Sequence, residues 1–175
     1  MFNFGKTKYM KRNKISLAFT CFLISACIII MSSCKKEQHA AIVTPTPIVS
    51  FTVGDTVFTA NSVSITTIQS YTSIKAIYTT STRVQEIIIE LSSNATGTYS
   101  LNNYNSTSSI GAAYFSGAST ASLTGYETSG VSPYVGTMTI TSSVNNVVSG
   151  TFSFTGTCGG ATYSVSNGSF TNVTL

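Results

Sequence analysis

The chain has 175 residues, room for one folded domain at roughly 100–200 residues per domain. Hydrophobic residues make up 42% and charged ones 8%, with 28 serines and 28 threonines; so apolar a chain is not an intrinsically disordered tail, and three prolines exclude a collagen or a proline-rich linker. The net charge of +4 comes from Lys6, Lys8, Lys11, Arg12 and Lys14; from Cys34 onward four bases face five acids, and that near-neutral body has no electrostatic footprint for nucleic acid.

Residues 1–14 are basic, and residues 15–30 form an apolar run, ISLAFTCFLISACIII. Met31-Ser32-Ser33-Cys34 and then Lys35-Lys36-Glu37-Gln38 follow. A basic segment, an apolar segment and small residues before a cut make a secretory signal, and the run is shorter than the ~20 residues of a spanning helix. Met10 opens a tidier basic segment and is an alternative start. Small residues directly before a cysteine resemble the lipobox of bacterial lipoproteins. Such signals are cut before the cysteine, whose thiol carries a diacylglycerol; further acyl chains such as palmitate make the anchoring stable. Leu23-Ile24-Ser25-Ala26-Cys27 matches the lipobox consensus better than Met31-Ser32-Ser33-Cys34 does. A mature chain starting at Cys27 would, however, carry Ile28-Ile29-Ile30 in what should be a polar tether, which selects Cys34 as the lipidated residue, with Cys27 the alternative. The expected organisation is a signal peptide over 1–33, the lipidated Cys34 and a tether over 34–47, and a single all-β domain over 48–175.

Of four cysteines only Cys158 falls in that domain, so no internal disulfide is expected, and the single histidine, His39, lies in the tether. Neither a metal centre nor a Ser-His-Asp triad is therefore expected in the body, and no cofactor.

From residue 48 the chain is rich in Val, Ile, Thr, Tyr and Phe, punctuated every eight to twelve residues by Gly, Asn or Ser. Strands are predicted over 48–53 and 56–60, joined at Gly54-Asp55 by a two-residue turn of the II′ type. Others follow over 63–70, 74–80, 84–92 and 98–101. In the strand over 84–92, Ile87, Ile89 and Leu91 share one face and are assigned to the core, with Glu86, Ile88 and Glu90 on the other. The stretch 102–133 is less regular, with strands near 110–116 and 122–127. Strands over 135–144 and 148–155 follow, joined at Asn145-Asn146; the second puts Phe152 and Phe154 on one face. Residues 161–166 and 169–173 close the domain, interrupted at Asn167-Gly168 by a hairpin turn or a bulge. Turns this short do not carry crossovers between parallel strands. The fold class is therefore all-β, an antiparallel meander forming a β-sandwich or flattened β-barrel. With so few charges its edge strands lack the usual protection against pairing, which a closed barrel or covered edges would supply.

The pattern Val148-Ser149-Gly150-Thr151-Phe152-Ser153-Phe154, then Val165-Ser166-Asn167-Gly168-Ser169-Phe170, preceded by Phe51-Thr52-Val53-Gly54-Asp55 and Thr96-Gly97-Thr98-Tyr99, resembles an uncharacterised domain family of lipoproteins from Bacteroidota-type bacteria. The resemblance covers roughly 48–175. It implies an all-β, envelope-attached domain and carries over no catalytic residue.

Catalysis is not expected. Glu86 and Glu90 share a strand face about 13 Å apart, too far for the carboxylate pair of a glycosidase. A binding role is the stronger expectation, carried by Tyr104, Tyr114, Tyr126 and Tyr134, aromatic rings in the irregular, amide-rich middle. The expected partners are a membrane, through the N-terminal lipid, and a glycan or envelope protein. The expected place is the outer membrane, facing the periplasm or the surface. A lipocalin-like carrier of a small apolar ligand and a surface adhesin are the alternatives.

Overall fold

The computed structural model describes residues 46–68, 71–104 and 110–175. The expected signal, Cys34, and the tether up to residue 45 lie outside them. Eleven strands run in chain order: β1 (Ile48–Val53), β2 (Thr56–Thr59), β3 (Ser62–Ile68), β4 (Tyr71–Thr79), β5 (Val84–Leu91), β6 (Gly97–Leu101), β7 (Ala112–Gly117), β8 (Thr124–Glu127), β9 (Gly136–Val144), β10 (Val147–Cys158) and β11 (Ala161–Thr174). They form one curled antiparallel sheet, a half-barrel in the order β2-β1-β11-β10-β8-β7-β5-β4-β3.

The turns follow from residue type. Gly54 takes φ 58° between β1 and β2, as a II′ turn requires, and Asn145 and Asn146 take 52° and 63° between β9 and β10. Asn tolerates that left-handed region because its short amide bonds locally.

Two features depart from a plain meander. β10 is forked: residues 147–154 pair β9, which in turn pairs β6, while Thr157 pairs Glu127 of β8. And the chain itself joins the two edges of the curled sheet. Ala60 N donates to Val49 O of β1, and the next residue, Asn61, donates to Ile77 O of β4, at 2.9 Å each. The Asn61 side chain extends the second pairing, donating to Thr79 O at 2.9 Å and accepting from Thr79 N at 3.3 Å. An uncharged strand thus leaves one edge and becomes the other, which answers at this corner the exposure that its composition raises.

β11 is a single 14-residue strand rather than the two segments expected. Asn167-Gly168 is a bulge, not a hairpin. Asn167 takes φ 48°, and the register slips there against both β10 and β1. A second slip, at Asn172 (φ 57°), is closed by Asn172 N donating to Ser149 Oγ at 3.2 Å. The two bulges bend the strand so that it follows the curl.

The inner face carries the core. Val49, Phe51, Ile74, Ala76, Ile87, Ile89, Leu101, Val148, Phe170 and Val173 are fully buried there, and Leu91, Phe152 and Phe154 nearly so. The core assignment of Ile87, Ile89 and Leu91 holds. The other face of β5, however, is not left to solvent: Glu86 and Glu90 are also buried.

Candidate functional site

Within the core an aromatic run crosses the inner face from β4 to β11. Tyr78 meets Phe58 edge-on at 5.4 Å between ring centroids, Phe58 stacks on Phe51 at 5.4 Å, and Phe51 meets Tyr114 at 6.4 Å. Tyr114 then contacts Tyr126 (6.1 Å) and Tyr163 (5.7 Å), and Tyr126 and Tyr163 lie 4.5 Å apart, tilted by 53°. The run is fully buried at Phe51 and emerges at Tyr163, which is 42% exposed. The register explains the opening. Gly156 of β10 lies opposite Tyr163, and a Cβ there would collide with the Tyr126 carbonyl. The missing side chain lets the Tyr126 backbone lie close against β10.

Polar groups are buried beneath this end. Tyr114 OH donates to Gln85 Oε1, and Gln85 Nε2 donates to Ser116 Oγ at 3.1 Å. Burial pushes the Tyr114 hydroxyl's pKa up from 10; the Ser116 hydroxyl and, less strongly, the Arg83 charge oppose that rise. The chain meets the sheet at the other end. Ile48 pairs with Thr171, eight residues along β11 from Tyr163 and about 25 Å at the rise of an extended strand.

The four tyrosines expected to bind lie in different places. Tyr114 and Tyr126 face each other across β7 and β8, but Tyr114 is 3% exposed and belongs to the core, so its ring is closed to a ligand. Tyr126 is half-buried and reaches the opening. Tyr134 is half-buried in the 128–135 loop, its N–H donating to Val131 O at 2.7 Å. Tyr104 lies beyond the outer face, in edge contact with Phe115 at 6.3 Å and held by its N–H to Thr128 O at 3.1 Å. Gly111 makes that position reachable, since a Cβ there would strike the backbone of Asn103 and Tyr104. Tyr163 was not among the expected residues. Its signal was its place two residues before Val165, which puts it on the core-facing side of β11.

The carboxylates of the outer face are tied into the fold. Glu86 pairs with Lys75 at 2.9 Å, and the buried Glu90 Oε2 accepts from Gly111 N at 2.9 Å. Together with Glu127 they surround Tyr104, whose pKa is pushed up to about 12, first by burial and then by Glu90, Glu127 and Glu86. Cys158, at the end of β10, is an exposed free thiol. Open grooves mark the surface. One of about 440 Å³ runs along the Asn167 bulge between hydroxyls such as Thr139, Thr151 and Ser169. Another, about 340 Å³, lies beside Tyr71, Asn94 and Asn146.

Fold and site together define an all-β half-barrel with a packed interior and a tyrosine-lined end. The chain belongs to the family described as domain of unknown function (DUF6252), which matches residues 45–174. No curated protein and no solved structure matches it significantly.

Proposed function

We propose that the chain is a membrane-anchored lipoprotein of the bacterial outer membrane whose β-domain is a non-enzymatic binding module for saccharide surfaces. The anchoring half of this reading rests on the signal that ends at Cys34. The binding half rests on one observation: Tyr163 and Tyr126 present an angled ring pair at the end of the barrel opposite the point where the chain joins the sheet. Aromatic faces suit the C–H faces of sugars. Tethered through its N-terminal side, the domain would hold that end away from the membrane.

The other readings fit the geometry less well. A carrier of an apolar ligand needs a hollow barrel, whereas large side chains such as Phe51, Phe170, Met138 and Ile140 fill this one. Catalysis by the outer carboxylates is disfavoured because Glu86 and Glu90 already serve an ion pair and a backbone N–H.

Two experiments test the proposal. Metabolic labelling with an alkynyl fatty acid should mark the wild-type chain, and Cys34→Ala should abolish the label and move the protein to the soluble fraction; acylation that survives the change sinks the assignment of Cys34. In a glycan-binding assay Tyr163→Ala should weaken retention while leaving the fold intact. Unchanged retention would remove the ring pair from the binding role.

A further inference from the structure

Charge is scarce in the domain, so the place of each charge is informative. Among the described residues the ionic side chains are Asp55, Lys75, Arg83, Glu86, Glu90 and Glu127. Lys75 is committed to Glu86, and Glu90 and Glu127 lie around Tyr104 beyond the outer face. That leaves Arg83 and Asp55, both exposed and both in turns at the tyrosine end of the barrel. Arg83 makes no ion pair among the described residues.

Arg83 immediately precedes β5, two residues before Gln85. The alternation that points Gln85 and Ile87 inward therefore places Arg83 on the inner side of the rim. Its charge acts on the hydroxyl of Tyr114, whose ring contacts both Tyr126 and Tyr163. A guanidinium is a planar fork that matches a carboxylate through two parallel hydrogen bonds. Asp55 occupies the β1–β2 turn, next to the strand end that pairs Val53 with Val165, and so flanks Tyr163 on its other side. Like charge turns an anionic group away from that side and toward Arg83.

We propose that the tyrosine end binds a carboxylated sugar, with the sugar ring on Tyr163 and Tyr126 and its carboxylate on Arg83. This rests on the saccharide-binding reading above and adds the charge class of the ligand. Ser116, half-buried on the same side of β7 as Tyr114, supplies a neutral partner for a sugar hydroxyl.

The test is a titration of the full chain in detergent micelles with glucuronate, glucose and acetate, read by saturation-transfer NMR and by tyrosine emission, which no tryptophan obscures. Glucuronate should bind about tenfold more tightly than either glucose or acetate, the size of one charge-assisted hydrogen bond. Arg83→Gln should bring glucuronate down to the level of glucose. Asp55→Asn should strengthen glucuronate alone, and Tyr163→Ala should weaken both sugars. Arg83 and Asp55 are exposed turn residues, so circular dichroism and melting of those two variants should match the wild type. Equal binding of the two sugars overturns the acidic preference and leaves the saccharide reading standing. Acetate binding as tightly as glucuronate overturns the sugar-specific site. No binding of either sugar overturns both readings.

Discussion

Tyr104 is held by groups that penalise its ionised form. Burial comes first, then Glu90, Glu127 and Glu86, and its pKa rises from 10 to about 12. The folded state therefore favours the neutral phenol. That contribution to stability is full below pH 10, the unfolded value, and is lost as pH climbs from 10 toward 12. A spectrophotometric titration at alkaline pH should find a phenol titrating at about 12 that Tyr104→Phe removes, and the variant should lose less stability than the wild type across that window. If all phenols of the folded protein titrate together near 10, Tyr104 does not sit among those carboxylates. The sequence located Tyr104 in an irregular, amide-rich stretch, which is where an exposed binding ring would also be found. Nothing local revealed that Gly111 would let the chain lie against its own outer face.

Among the strands, β11 carries the most specific design. A 14-residue strand bonded on both sides would be stiff if its register were unbroken, and Asn167 and Asn172 break it. Asn167→Gly should leave stability within about 0.5 kcal/mol of the wild type, because glycine takes positive φ freely. Asn167→Val should cost about 1–2 kcal/mol, since a β-branched residue resists that region. Urea denaturation of the two variants checks the difference, and equal losses would mean that the bulge conformation is not what the asparagine supplies. The Asn-Gly pair was visible in the sequence, but a hairpin and a bulge share that signature, and only the pairing of β1 with both halves of β11 separates them. The burial of Glu86 and Glu90 escaped the alternation rule for a related reason. Period-2 patterning says which residues share a face of β5, not whether residues outside the strand, such as Tyr104 and Gly111, will cover it.

At the scale of the domain, stability rests on the filled inner face. Phe51 and Phe170 are fully buried, and Phe51 links Phe58 to Tyr114 in the aromatic run. Truncating either phenylalanine to alanine should cost about 3–5 kcal/mol, the lost transfer energy plus the cavity left behind, as measured by the shift in urea midpoint at constant slope. A loss under about 1 kcal/mol would point to a loose interior and reopen the carrier reading. Tyr163→Ala should cost far less, because its ring is part of the rim.

Composition, the period-2 alternation and the spacing of Gly and Asn were enough to establish an all-β antiparallel domain, most of its strands, its turns at Gly54 and Asn145-Asn146, and its core residues on β5. These are local properties: which side a residue faces and where the chain reverses depend on neighbours a few positions away. The fork in β10, the joining of the sheet edges at Ala60 and Asn61, and the meeting of Tyr126 with Tyr163 over Gly156 link residues 11 to 37 positions apart. No local pattern encodes them. They arise when the twist of the sheet curls it and brings its far strands together, and the candidate site, built from β5, β7, β8 and β11, exists only after that closure.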